Sequence, residues 1–256
     1  MSIVQIVFSP TGGTQKVADI ITEKWGESVR KIDLSDPKTD FTSVSLDKED
    51  IALIAVPSFG GRVPGPAVER LEKIRGNQAL CTVVCVYGNR AYEDTLLELR
   101  DAAEKSGFSV IAGISAVAEH SIMHQYASGR PDEQDKSQLR NFAEKIKEKI
   151  SCGASQLSSP EIPGNRPYKK AGGAGLIPKA DHKCVQCGIC ADHCPTQAID
   201  KENPKVTDKA KCISCMRCVA QCPQKARKIN AVMVAAAAQA IKKACSVRKE
   251  NELFLS

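Results

Sequence analysis

Apolar runs and helical periods alternate through the first 150 residues. The runs "IVQIVF" from Ile3, "SVRKIDL" from Ser28, "IALIAVPS" from Ile51, "ALCTVVCVYG" from Ala79 and "FSVIAGISAVA" from Phe108 predict five strands. The later ones are continuous enough to be buried on both faces. Between most of them, and again after the fifth, apolar side chains recur at helical spacing over Thr14 to Trp25, Gly65 to Arg75, Tyr92 to Lys105 and Glu133 to Ile150. Strand alternating with helix predicts an α/β domain over residues 1–150, a parallel sheet covered on both sides. Ligands of such sheets lie beyond the carboxyl ends of the strands.

The period lapses at residues 151–181, which are rich in Gly, Pro and Ser and read as a connector. Within it "GNRPYKK" from Gly164 is a candidate to dock on a domain, although a plain linker is the expected reading. Residues 182–228 contain an internal repeat: "KCVQCGICADHCP" from Lys183 returns as "KCISCMRCVAQCP" from Lys211, an offset that marks a duplicated small unit. Residues 229–256 read as a helix from Asn230 to Val247 and a tail. The longest apolar run, "AVMVAAAAQAI" from Ala231, is far short of the roughly 20 residues that cross a bilayer. With no Arg/Lys-rich leader before the first strand, the expectation is a soluble, cytoplasmic protein without a membrane partner.

Eight of the twelve cysteines crowd into the repeat. Cys184, Cys187, Cys190 and Cys194 are spaced C-x2-C-x2-C-x3-C-P, and Cys212, Cys215, Cys218 and Cys222 repeat the spacing. Three cysteines two residues apart wrap a compact loop around one face of a cluster, while the fourth enters the next helix and points elsewhere. Zinc also takes four thiolates, but its sites usually join one C-x2-C to a second half across a spacer. The run therefore favours 4Fe-4S clusters, and it resembles the bacterial-type two-cluster ferredoxins. That resemblance implies two [4Fe-4S] clusters with crossed ligation, one held by Cys184, Cys187, Cys190 and Cys222, the other by Cys212, Cys215, Cys218 and Cys194. Cys81 and Cys85 fall in a buried strand and read as packing residues. Cys152 and Cys245 have no partners at ligand spacing.

Charge is unevenly divided. Residues 1–165 carry a formal −4 and residues 166–256 carry +10. A basic half ordinarily hints at nucleic acid, but eight thiolates and two oxidised cluster cores bring its charge to about +6. Lys183, Lys211, Arg217, Lys225, Arg227 and Lys228 remain, either to steer an acidic redox partner or only to offset cluster charge.

The first strand runs into "FSPTGGTQKVADII" from Phe8. Ser9, Thr11, Gly12, Gly13 and Thr14 form a phosphate-loop arrangement: glycines let backbone N–H groups converge, hydroxyls add donors, and the new helix turns its positive end to the anion. A bare Ser/Thr helix cap is the plainer alternative. The loop has neither the Lys of an ATP-binding P-loop nor the G-x-G-x-x-G of a dinucleotide fold. A single phosphate suits it, and it resembles the FMN-phosphate loop of flavodoxins. "PSFGGRVPG" from Pro57 and "YGNRAYEDTLLEL" from Tyr87 follow the third and fourth strands and resemble the two loops that clasp the flavin ring. The resemblance implies cofactor contacts from Ser58, Phe59, Gly60, Gly61, Tyr87, Gly88, Asn89, Arg90 and Tyr92, with Phe59 and Tyr92 on the ring faces. Ordinary core packing is the alternative for either aromatic. Arg62 and Arg90 either compensate a reduced flavin or lie on the surface. His120, His124 and Tyr126, in the loop after the fifth strand, are candidates to touch flavin or substrate, although loop histidines are more often solvated.

Most of the chain is thus similar to the flavodoxin-ferredoxin fusion proteins of anaerobic bacteria and archaea. This implies a flavodoxin-like doubly wound five-stranded parallel sheet in the order 2-1-3-4-5, followed by a smaller α+β ferredoxin-like domain. The function expected is electron relay between two [4Fe-4S] clusters and FMN, linking a low-potential one-electron donor to a partner redox enzyme. An FMN-dependent reductase of a small acceptor, fed by its own ferredoxin domain, is the alternative, and a flavin-free docking scaffold is a third. No catalytic acid, base or nucleophile stands out and nothing reads as an NAD(P)H site. Redox proteins are the expected partners and nucleic acid is not; the sequence leaves donor, acceptor and oligomeric state open.

Overall fold

The computed structural model describes residues 2–151, 158–172 and 175–255; Cys152 lies outside them. Five parallel strands, β1 (Ile3–Val7), β2 (Val29–Asp33), β3 (Ile51–Pro57), β4 (Leu80–Tyr87) and β5 (Ser109–Val117), pair in the order 2-1-3-4-5. Between them, and after β5, run α1 (Gly13–Thr22), α2 (Gly65–Leu71), α3 (Thr95–Lys105) and α4 (Glu133–Ser151). The period of two explains why the central strands are apolar throughout. Val4, Ile6, Ile54 and Val83 face one core with Leu71, Leu96 and Leu99. Their neighbours Val7, Leu53, Ala55 and Val84 face a second core with Val17, Ile21, Leu139 and Ile146. Cys81 and Cys85 are fully buried in the first core. Burial pushes both thiols far above the ordinary range, which fits packing and no chemistry.

The sheet has six strands, not five. After helix α7 (Ala231–Cys245) the chain returns as β8 (Glu252–Leu255) and pairs antiparallel with β5, setting Ile114 opposite Leu253. Without it β5 would present an open row of unpaired amides and carbonyls. Helix α7 itself packs Val234, Ala237, Ala238 and Ile241 near Ile122, Met123 and Tyr126 of the loop after β5.

Residues 160–169 of the connector form a docked strap rather than a plain linker. Ile162 is buried in the first core, where it fills the space over Gly113. Asp94 accepts from the backbone N–H of Asn165 at 2.8 Å, from its Nδ2 at 3.0 Å and from the N–H of Lys169 at 2.7 Å. Asp101 takes the Arg166 guanidinium and the Tyr168 hydroxyl, and Arg62 sits 5.1 Å from the Tyr168 ring centroid. "GNRPYKK" is therefore a docking sequence whose charges meet two acidic residues of α3 and its N-terminus.

The small domain keeps the symmetry of its repeat. Strand β6 (Lys179–Ala180) pairs antiparallel with β7 (Arg227–Lys228), and the one-turn helices α5 (Ile189–Asp192) and α6 (Arg217–Ala220) stand at equivalent places. Each follows a left-handed residue, Gly188 at φ 77° and Met216 at φ 63°. Among the described residues no helix is long and apolar enough to cross a membrane.

Candidate functional site

Two cavities occur in the small domain, and the repeat crosses over between them. Cys194, Cys212, Cys215 and Cys218 line one. Cys184, Cys187, Cys190 and Cys222 line the other. Each hollow thus takes three cysteines from one half of the repeat and one from the other. Amides are already aimed at the crossing sulfurs: Ala198 N–H points to Cys194 Sγ at 3.3 Å and Ala226 N–H to Cys222 Sγ at 3.2 Å. Burial pushes the Cys215 thiol up to about 12 and that of Cys218 to about 11. Bare thiolates are costly in such a place, so it suits sulfurs whose charge is shared with bound iron. Four thiols lining one hollow are the donor set that a 4Fe-4S cluster takes.

The first cavity abuts the carboxyl end of the large sheet. Arg70 of α2 donates through Nη1 to Leu34 O at 2.6 Å and through Nη2 to Pro195 O at 2.5 Å. Arg217 Nη2 donates to Asp33 Oδ2, the last residue of β2, at 3.2 Å. Ile213 packs on the first core of the large domain, as Phe59 does. Pro195, Ile213 and Arg217 all line the first cavity.

The predicted phosphate loop lies at this same end of the sheet. Ser9 N–H donates to Ser35 Oγ at 2.9 Å, and Ser9 Oγ accepts from Gln15 N–H at 2.9 Å. The Ser9 hydroxyl thus satisfies one amide of the first turn of α1, while the N-cap residue itself is Gly12 and has no side chain to cap with. Gly12 takes φ 91° at the start of α1, Thr11 is exposed, Thr14 is buried, and no acidic side chain stands in the first turn. A positive helix end framed by Thr11, Gly12, Gly13 and Thr14 fits one phosphate group.

The ring loops are partly committed elsewhere. Phe59 and Arg62 close a two-residue turn, each N–H donating to the other's carbonyl, with Gly60 at φ 62° and Gly61 at φ 85°. Only glycine suits both places: a Cβ on Gly60 would come within 2.7 Å of Gly172 O in the connector, and one on Gly61 would strike Glu93. Ser58 Oγ meets Thr95 Oγ1 at 2.7 Å, and Arg90 pairs with Glu93 at 3.0 Å. Gly88 lies against the His120 ring.

Two expectations need correction. Tyr92 packs against the first core, meets Tyr87 edge-on at 5.3 Å and donates its hydroxyl to Glu252 Oε2 of β8 at 2.9 Å. Asn89, buried, donates to Cys245 O at 2.9 Å and Val247 O at 2.8 Å, and accepts from Lys249 N–H at 3.0 Å. The returning tail has taken the polar groups that the resemblance assigned to a flavin.

The loop after β5 is equally occupied. His120 Nδ1 accepts from the N–H groups of Ile122 and Met123 at 3.2 Å each, and burial lowers its pKa, so it is a neutral turn former. His124 is exposed and pairs with Glu119, while Tyr126 donates to Ala238 O of α7 at 2.6 Å. Asp33, Arg70, Asp94 and Glu252 escaped sequence reading, since each works through a partner remote in the chain.

Residues 183–227 match the family model described as a 4Fe-4S dicluster domain. No curated protein matches the sequence significantly. Among solved structures, the chain is similar to rubredoxin oxygen:oxidoreductase from the anaerobe Desulfovibrio gigas, at 14% identity and a TM-score of 0.43, over 59% of this chain and 36% of that one. It is also similar to an NADH:FMN oxidoreductase in its apo form, at 17% identity and a TM-score of 0.44, over 62% and 94% of the two chains. A Streptococcus pneumonia TIGR4 flavodoxin aligns at 23% identity and a TM-score of 0.41, over 58% and 99%. The chain spans about a third of the first of these proteins. The strand order and the cysteine sets of this chain carry the argument independently of those likenesses. A flavodoxin-like α/β domain is joined to a segment that matches a 4Fe-4S dicluster domain, which supports an electron-transfer or redox role.

Proposed function

We propose that the chain relays electrons between two [4Fe-4S] clusters and one FMN, linking a low-potential one-electron donor to a partner redox enzyme. The observation that carries this reading is the pair of crossed four-cysteine cavities, one of them set against the carboxyl end of the flavodoxin-like sheet. A 4Fe-4S cluster passes single electrons, whereas FMN takes one or two, so the pair converts between the two kinds of traffic. Cys194, Cys212, Cys215 and Cys218 would hold the inner cluster, against the carboxyl end of the sheet, and Cys184, Cys187, Cys190 and Cys222 would hold the outer one, toward a donor.

Thr11 to Thr14 hold the FMN phosphate at the positive end of α1. Phe59, Gly60, Gly61 and Gly88 are left to bound the ring, because Tyr92 and Asn89 serve the tail. Arg217 and Arg70 hold the inner cluster's loop on the sheet, so both centres keep one relative position during transfer. The relay is favoured over direct reduction of a small acceptor because His120, His124 and Tyr126 are all bound within the protein.

Iron, acid-labile sulfide and released flavin in anaerobically purified protein test the reading. It requires about eight iron, eight sulfide and one FMN per chain. Eight iron with no flavin, even after FMN is supplied, would reduce the large domain to a docking scaffold.

A further inference from the structure

Aligning the two halves of the small domain sets two arginines of the second half opposite isoleucines of the first, Arg217 opposite Ile189 and Arg227 opposite Ile199. Cys194 corresponds to Cys222, Ala198 to Ala226, and Ile199 to Arg227. The backbone obeys the correspondence, since Gln186 and Ser214, and Gln197 and Lys225, share left-handed φ values within a few degrees of each other. Ile199 is 4% exposed and packs in the small core with Cys190, Cys212 and Cys218 nearby, as an isoleucine should. Arg227 is 2% exposed at the matching place and is the largest fully buried side chain of the described residues.

A buried guanidinium needs a counter-charge. Arg227 makes no ion pair with a carboxylate among the described residues; its partners are neutral oxygens and the thiols of Cys190 and Cys218, one from each cysteine set. Nη1 donates to Pro204 O at 2.6 Å and approaches Cys190 Sγ at 3.8 Å. Nη2 donates to Pro178 O at 3.1 Å and Thr207 Oγ1 at 2.6 Å. Nε–H is buried with no partner. Arg227 and Pro204 line the Cys184 cavity, while Pro178 and Thr207 line the Cys212 cavity. The cation therefore stands in the wall between the two sites, with an unused donor and no carboxylate.

We infer that Arg227 is the internal counter-ion of the two clusters, that its free N–H donates to cluster sulfur, and that it stabilises chiefly the reduced cluster held by Cys184, Cys187, Cys190 and Cys222. Added charge on that cluster is met by a fixed positive charge, which raises its potential. The matching position of the other half offers only Ile199, and the arginine that does line the Cys212 cavity, Arg217, also with a buried Nε lacking a partner, is already paired with Asp33. An electron arriving from outside then rests first on the outer cluster. This rests on the cluster reading above.

The test uses full-length holoprotein. Iron and sulfide are measured first in the wild type: a chain that never holds about eight iron refutes the cluster reading itself rather than the role of Arg227. EPR-monitored redox titration then compares wild type, Arg227→Lys and Arg227→Ile, the last restoring the residue of the other half. Arg227→Ile is expected to lower the reduction equilibrium of the outer cluster by at least about tenfold, about 59 mV for one electron, and Arg227→Lys by less. Fully loaded Arg227→Ile with unshifted potentials, or equal shifts in both variants, overturns the inference. If Arg227→Ile does not load, wild-type protein carrying 15N-arginine decides. A nitrogen hyperfine coupling to a reduced cluster that survives Arg217→Lys supports the inference, and its absence refutes it.

Discussion

Asp94 anchors the strap within the connector between the large domain and the small one, and its removal has a calculable cost. Its carboxylate is 1% exposed and takes three donors, two of them backbone N–H groups of Asn165 and Lys169. Hydrogen bonds to a charged group contribute about 1.5–3 kcal/mol each. Two of the three share one oxygen, and water reaches the freed amides, so the net cost of Asp94→Ala is about 3 kcal/mol. Ile162 still anchors the strap in the core, which confines the loss to the stretch around residues 165–169. Hydrogen exchange followed by mass spectrometry reads this directly: protection at amides 165 and 169 should fall by about two powers of ten. Asp94→Asn, which keeps an acceptor but not the charge, should lose about half as much in free energy. Wild-type protection retained in Asp94→Ala would mean that core burial of Ile162, and not the carboxylate, holds the strap.

Acid provides a companion test. Burial pushes the Asp94 pKa up, but the strap amides and Arg62 outweigh it, and the carboxyl lies below its ordinary value. Its contribution is complete above the unfolded pKa of about 3.9 and fades as pH falls through the lower folded value. Protection at amides 165 and 169, corrected for intrinsic rates, should therefore hold from pH 7 to about 4; fading between pH 6 and 5 would contradict this. Cys194→Ala should remove the cluster of Cys212, Cys215 and Cys218, leaving about four iron and the EPR signature also left by Cys212→Ala; the signature left by Cys184→Ala would refute crossed ligation. Gly12→Val forces a branched side chain onto a backbone at φ 91°, at a strain of about 1–3 kcal/mol. FMN affinity should drop at least about tenfold with iron content unchanged, and unaltered affinity would remove the phosphate from this loop.

The five parallel strands were legible because each is a local apolar run whose period reports burial on one or both faces. The two cysteine sets were legible for a different reason: their repeated spacing resembles that of two-cluster ferredoxins, and that resemblance supplied the crossed grouping. Strand β8 was not, because four residues of "ELFL" carry too little pattern, and their partner β5 lies well over a hundred residues earlier. Tyr92 and Asn89 followed from loop position alone, and loop position does not reveal that a returning tail has claimed Glu252, Cys245 and Lys249 as their partners. Arg227 was written plainly in the repeat. An arginine matched with Ile199 is visible by alignment, but its meaning needs the burial and the missing carboxylate that only the fold supplies.

The central claim is internal transfer between the clusters and the flavin within one chain. Rapid reduction of the holoprotein by a small one-electron donor, followed at separate cluster and flavin wavelengths, tests it most directly. The account predicts cluster bleaching first, then flavin reduction at a rate independent of protein concentration and slowed by Arg217→Ala. Flavin reduction whose rate scales with protein concentration, or clusters that stay reduced beside an oxidised flavin, would contradict it.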